Sequence, residues 1–275
     1  MPTLDLDGTA INVRDGGDGP PVILLHSSSS HSGQWRLLSD GLSDRFRVVA
    51  PDLHGYGKSD PLPEDGRPYF QHDLAIVDRL MDSLGAPAHL VGHSLGGTVA
   101  VRAALEHPDR VASLTLVEPV LFNLLEEIED PTRVSYIEVA HGVMVLVRFG
   151  EREHAARLFL DYWLGPGGLD GLDESTRDYS IRTIDRVADD WFGISAYAPG
   201  ALTAEHLRAV APPTLLLCGE QTQPSTRRIV EILREALPDA EYREIPGAGH
   251  MSPVTHPVPV NEIITEFIER QSADA

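Results

Sequence analysis

Short β-rich apolar runs alternate with stretches of helical period at both ends of the chain, and that alternation leaves few architectures open. Strands separated by helices pair in parallel, because each crossover helix returns the next strand to the same end of a sheet that helices then cover. The reading begins with a strand over residues 22–25, a helix over 35–42, a strand over 47–50 and a helix over 70–84. It continues with a strand over 88–91, a helix over 95–106 and a strand over 113–117. The pattern resumes with a strand over 214–218, a helix over 225–237, a strand over 241–245 and a helix over 259–270. Between the two blocks the strand signal disappears. Residues 132–149, 151–163 and 174–192 read as helices, broken by the turn-forming run GPGGLDG at 165–171. The expected fold is α/β, with a mostly parallel central sheet flanked by helices. Residues 1–120 and 203–275 form the core, and 121–202 form an inserted helical cap.

One pentapeptide falls at a telling place in this scheme. Gly92-His93-Ser94-Leu95-Gly96 fits G-x-S-x-G, directly after one expected strand and before one expected helix. A serine on such a sharp strand-to-helix turn projects from the sheet edge, and small flanking residues let the backbone pack closely. The helix start adds free N–H groups beneath the hydroxyl. A serine hydroxyl still needs a general base, usually a histidine held by a carboxylate. Of the 12 histidines, His250 is best placed. It follows the last expected strand in Gly247-Ala248-Gly249-His250, where small residues leave room for close approach. His93 points into the core in this reading, while His107 and His256 each precede a proline at a helix boundary.

These segments together resemble the α/β-hydrolase fold superfamily. The resemblance rests on Leu25-His26 with the serines after it, on DLHGYGKS from Asp52 to Ser59, on Gly92 to Gly97 and on Gly247 to His250, in that order. It covers nearly the whole chain and is weakest over 121–202, where the family carries its variable cap. The resemblance implies a Ser–acid–His order, with Ser94 as nucleophile and His250 as base. The acid is the departure. Many relatives place an aspartate in a G-x-x-D pattern after the strand that follows the cap, but here Gly219-Glu220-Gln221-Thr222 puts threonine at that position. Some relatives, certain lactonases among them, carry the acid after the strand that follows the elbow helix. Leu116-Val117-Glu118-Pro119 stands there, so Glu118 is the expected acid and Glu220 the alternative. The oxyanion hole is expected from the backbone N–H of Leu95 and that of Ser27 or Ser28, although the family often has glycine where Ser27 stands. Asp52 matches a loop aspartate of structural role.

Other residues carry weaker expectations. Phe122, Met144, Trp163, Trp191, Phe192 and Tyr197 read first as helix core and second as substrate contacts, and Met251 as pocket lining. Cys218, the single cysteine, reads as a buried inert thiol. The 22 basic against 42 acidic residues give a net charge of −20, which disfavours nucleic acid and anionic membranes and fits a neutral small-molecule substrate. The first residues lack the basic and apolar regions of a signal peptide, and no apolar run spans a bilayer, so a cytoplasmic location is expected. No metal or dinucleotide motif is present and no cofactor is expected. A homodimer is compatible with the sequence without being required by it. The expected activity is hydrolysis of a small neutral carboxylic ester or lactone through an acyl-enzyme. Two alternatives remain open, cleavage of a carbon–carbon bond in a diketone and a non-catalytic ligand-binding role.

Overall fold

The computed structural model describes residues 3–195, 200–237 and 239–273, so Tyr197 lies outside the described residues. Eight strands form a sheet in the order β1-β2-β4-β3-β5-β6-β7-β8. They are β1 (Thr3–Leu6), β2 (Thr9–Gly16), β3 (Pro21–Leu25), β4 (Arg47–Pro51), β5 (Ala88–His93), β6 (Val111–Val117), β7 (Thr214–Gly219) and β8 (Glu241–Ile245). From β4 to β8 every neighbouring pair is parallel, while β1 and β2 run antiparallel at one edge.

The parallel strands read clearly because they are buried on both faces, and alternate side chains serve opposite layers. On β3, Ile23 and Leu25 join one core cluster, while Val22 and Leu24 join the other. The first cluster lies under α2 (Tyr69–Leu84) and α3 (Leu95–Glu106), and the second under α1 (Arg36–Leu42) and the long C-terminal α11 (Pro257–Ala273). The β1–β2 hairpin had no counterpart in the sequence reading. Apolar Leu4, Leu6, Ile11 and Val13 alternate there with polar residues, so no continuous apolar run marks it. Its signal is Asp7-Gly8, both at positive φ (53° and 88°), the type I′ turn that joins two strands through two residues.

Between β6 and β7 the described residues form helices only: α4 (Asn123–Glu127), α5 (Arg133–Arg148), α6 (Arg152–Leu164), α7 (Glu174–Gly193) and α8 (Ala204–Leu207). After β7 come α9 (Pro224–Ala236) and, beyond β8, the short α10 (Ser252–Thr255). Among the described residues no helix is long and apolar enough to cross a membrane. Cys218 is buried and burial pushes its thiol up to about 12.

Burial lowers the pKa of His26, His54, His72, His89 and His93, with His26 and His89 brought down from 6.5 to about 4. His26 shows why. Its Nδ1–H donates to the Ser27 carbonyl and its Nε2 accepts from the Leu53 N–H, so a second proton would break an internal bond. The unfolded chain takes up protons near pH 6.5, before these folded histidines do, so their contribution to stability is complete above 6.5 and is lost towards 4. Each unit of separation corresponds to about 1.4 kcal/mol. Burial raises Asp78, Asp189 and Asp190, which act in the opposite direction but are fewer. The melting temperature in scanning fluorimetry is therefore expected to fall between about pH 7 and about pH 5. A flat or rising profile over that range would contradict this balance.

Candidate active site

The strand ends bring three expected residues together. Ser94 sits between β5 and α3 with φ 55° and ψ −118°, a strained conformation for a residue with a side chain that costs about 1–3 kcal/mol. The surroundings hold it there. Its N–H donates to the Val117 carbonyl (3.0 Å), and the Gly96 N–H donates to the His26 carbonyl (3.1 Å). A Cβ on Gly96 would stand 2.3 Å from the Leu25 carbonyl oxygen, and one on Gly92 2.3 Å from the Gly96 oxygen, so the turn closes only with glycine at both places.

Glu118 leaves the end of β6 at φ 44° and is fully buried. Its Oε1 accepts from the Gly219 N–H (2.6 Å), and its Oε2 accepts from the Thr222 hydroxyl (2.7 Å) and meets His250 Nδ1 at 2.7 Å. His250 Nε2 lies 3.0 Å from Ser94 Oγ. An ionised carboxylate can only accept, so Nδ1 carries the proton and Nε2 is left to accept from the serine hydroxyl. Glu220 is not part of this chain of bonds. Its carboxylate accepts from the Gly247 N–H (2.7 Å) and braces the loop that leads to His250. Thr222, where the resemblance leads to an expected aspartate, donates a hydrogen bond to Glu118 instead.

A second polar chain, which the sequence reading did not find, fixes the backbone around this site. The Gln34 side chain accepts from both the N–H and the hydroxyl of Ser27, and donates to His93 Nδ1 (3.2 Å). His93 Nε2–H then donates to the His250 carbonyl (2.9 Å). Burial keeps His93 neutral by holding its pKa well below the ordinary value. Burial inside β5, as expected for His93, was the available signal, but nothing in sequence spacing links it to Gln34. This chain also bears on the two loop residues expected near the oxyanion. The Ser27 N–H is committed to Gln34, whereas those of Ser28 and Leu95 have no protein acceptor among the described residues. Asp52 is structural, as expected: it accepts from the Ser32 and Lys58 N–H groups and from the Asn12 amide.

Ser94 and His250 open into a cavity of about 210 Å³. Phe122, Phe159, Leu160, Trp163, Trp191 and Met251 supply much of its apolar wall. Trp163 lies flat against the His250 imidazole, with ring centres 3.8 Å apart and planes 22° apart. Phe122, Trp163 and Trp191 pack into the core, as first read, and line the cavity as well. Met144 packs only against the core, and Phe192 is half exposed on a separate groove. Ser28, Ser29, Thr176, Ser180 and Thr255 also line the cavity, while Lys, Arg, Asp and Glu are absent from its described wall. Among the described residues no group of three or more His, Cys, Asp or Glu is arranged around a metal position.

A parallel sheet carrying a serine on a strained strand-to-helix turn, with a histidine and a buried carboxylate in line, defines a fold class of hydrolytic enzymes. The chain matches the model of the alpha/beta hydrolase family over residues 22–263, and it belongs to that family. It is 31% identical over 260 residues to the dihydrolipoyllysine-residue acetyltransferase component of the acetoin cleaving system of Cupriavidus necator, covering 90% of this chain but only 63% of that protein. A pimeloyl-[acyl-carrier protein] methyl ester esterase of Chromobacterium violaceum is 28% identical, over 93% of this chain and 97% of that one. The enol-lactonase of Burkholderia xenovorans LB400 shares the fold with a TM-score of 0.79 at 22% identity, over 98% and 100% of the two chains.

The geometry around His250 makes a prediction independent of any substrate. A proton held between Nδ1 and a buried carboxylate is shielded from exchange and gives a far-downfield proton NMR signal. That signal is expected in the wild type and in Glu220→Gln, and is expected to vanish in Glu118→Gln. Its persistence in Glu118→Gln would show that another group holds Nδ1.

Proposed function

We propose that the protein is a cofactor-independent serine hydrolase that cleaves a small neutral carboxylic ester or lactone. The observation that carries this reading is the unbroken Ser94–His250–Glu118 hydrogen-bonded chain opening into an apolar cavity. In the proposed reaction Ser94 Oγ attacks the carbonyl carbon and His250 Nε2 takes the hydroxyl proton. The oxyanion forms against the N–H groups of Leu95 and Ser28, each worth about 10²–10³ in rate in comparable sites. His250 then delivers its proton to the departing alkoxide as the C–O bond breaks, leaving an acyl group on Ser94. Water attacks that ester, gives its proton to His250, and Ser94 recovers it as the acid is released. Glu118 stays ionised throughout, holding the Nδ1 tautomer and stabilising the imidazolium.

Residues 121–202 act in this reading as a cap that encloses a small substrate. Phe159 and Trp163 come from α6 and Trp191 from α7, so these helices supply the apolar wall over Ser94. The uncharged lining favours a substrate without a carboxylate in its enclosed part, since a buried ion needs a partner. The named activities of the methyl ester esterase and the enol-lactonase relatives point to the same bond type.

The test is hydrolysis of p-nitrophenyl acetate, p-nitrophenyl butyrate and simple lactones, alongside intact mass after a serine-directed phosphonate probe. Wild type is expected to gain one adduct and turn over at least one substrate, while Ser94→Ala does neither. Glu118→Gln is expected to lower kcat by about 10⁴-fold through loss of the correct tautomer. Glu220→Gln is expected to stay within a few-fold of wild type. Folded wild-type protein that takes no adduct and cleaves neither esters nor lactones would overturn the reading.

A further inference from the structure

The serine run at 27–30 is bound along one face of α7. Ser28 Oγ donates to Asp190 Oδ2 (2.7 Å), Ser29 Oγ lies 3.1 Å from Thr183 Oγ1, and the Ser30 carbonyl accepts from the Tyr179 hydroxyl (2.7 Å). Tyr179, Thr183 and Asp190 fall at i, i+4 and i+11, which a helix places on one stripe. Three successive loop residues are thus held, one after another, by a helix of the inserted segment. Ser29 needs such holding, because it occupies the left-handed region at φ 54° without being glycine.

Asp190 is itself fixed before Ser28 reaches it. It is buried, accepts from the Tyr56 hydroxyl, and pairs with Arg186 one turn earlier on α7. Arg186 is also buried, and it donates as well to Asp73 on α2 (2.5 Å) and to the His54 carbonyl (2.9 Å). The carboxylate therefore has a set position relative to both the sheet and α2. The Ser28 hydroxyl has Asp190 as its partner among the described residues; Ser28 lines the cavity together with Ser94, and its backbone N–H has no acceptor among the described residues.

We propose that Asp190 is a positioning residue that, through the Ser28 hydroxyl, fixes the Ser28 N–H in the oxyanion hole, so that α7 of the inserted segment sets the geometry of the reaction. This rests on the serine-hydrolase reading above. It gives the Ser28 and Ser29 hydroxyls a purpose, the anchorage of the loop to α7. It also divides the inserted segment. The α7 face that holds residues 28–30 is a fixed strut, and entry of substrate has to occur elsewhere along the cavity wall.

The test compares wild type, Ser28→Ala, Asp190→Asn and the double variant on p-nitrophenyl acetate, with melting temperatures measured alongside. Ser28→Ala removes only a hydroxyl and keeps the N–H. It is expected to lower kcat about tenfold, with KM within twofold and the melting temperature close to wild type. Its affinity for butylboronic acid, which forms a tetrahedral adduct on the serine, is expected to weaken by the same factor as kcat/KM. The double variant is expected to be no slower than Asp190→Asn alone, because both changes cut one connection. Wild-type kcat and boronate affinity in Ser28→Ala would overturn the inference while leaving the serine-hydrolase reading in place. A folded wild type that neither hydrolyses the ester nor takes the phosphonate would instead bring down both.

Discussion

A carboxylate withdrawn completely from water has to find every partner inside the fold, and the Glu118 side chain does so at the meeting point of three segments. One oxygen takes the Gly219 N–H at the end of β7, and the other takes the Thr222 hydroxyl and His250 Nδ1. Leaving such a charge without partners would cost several kcal/mol, so the bonds that orient the histidine also tie the β7 loop and the histidine loop to β6. Glu118 also adopts a left-handed backbone, which turns the chain out of the sheet at the level of Ser94. The strain at these two positions is sustained by the parallel ladder beneath them, in which His93 pairs with Val117 and Val117 with Leu217. Strand register and site geometry are therefore one constraint.

Two further buried polar networks flank that line. On one side, Gln34 and His93 connect the loop after β3 to the backbone of His250. On the other, Arg186 and Asp190 connect the same loop to α7 and α2. Burial pushes the Asp190 carboxyl up to about 6 against the attraction of Arg186, so this network is held together at an electrostatic cost. Fully satisfied polar networks of this kind specify one arrangement of a loop more sharply than apolar packing does, because each bond has a direction. The loop after β3 needs that precision: it carries four successive serines whose side chains would otherwise be free to rotate.

What the sequence made legible follows from these physics. Strands β3 to β7 are buried on both faces and read as continuous apolar runs, and the glycine-framed serine between one strand and one helix marks the turn. In the β1–β2 edge hairpin Leu4, Leu6, Ile11 and Val13 alternate with polar residues, so no continuous apolar run marks it and its sign is the Asp7-Gly8 turn. Side chains such as Trp163 and Trp191 sit at helical spacing whether they face a core or a cavity, so periodicity alone does not separate the two roles. The Ser28–Asp190 bond joins residues 162 positions apart, and no local pattern encodes such a pairing.

The carboxylate that meets His250 shows how far a motif can shift while the geometry stays put. β6 and β7 are parallel neighbours, and Val117 pairs with Leu217, so the ends of the two strands open onto the same place. A carboxylate delivered from either end can meet the same imidazole nitrogen. Reaching it from β6 is aided by the extra methylene of glutamate relative to aspartate and by the left-handed turn at Glu118. The β7 end then needs a group that fills the vacated space without bringing a second negative charge. Threonine does both, since its hydroxyl donates to the carboxylate that has moved. An aspartate at 222 would instead set two buried carboxylates against each other, and one of them would have to hold a proton. Threonine at 222 and glutamate at 118 are thus linked choices, and the break in the expected motif is itself the sign of where the charge resides.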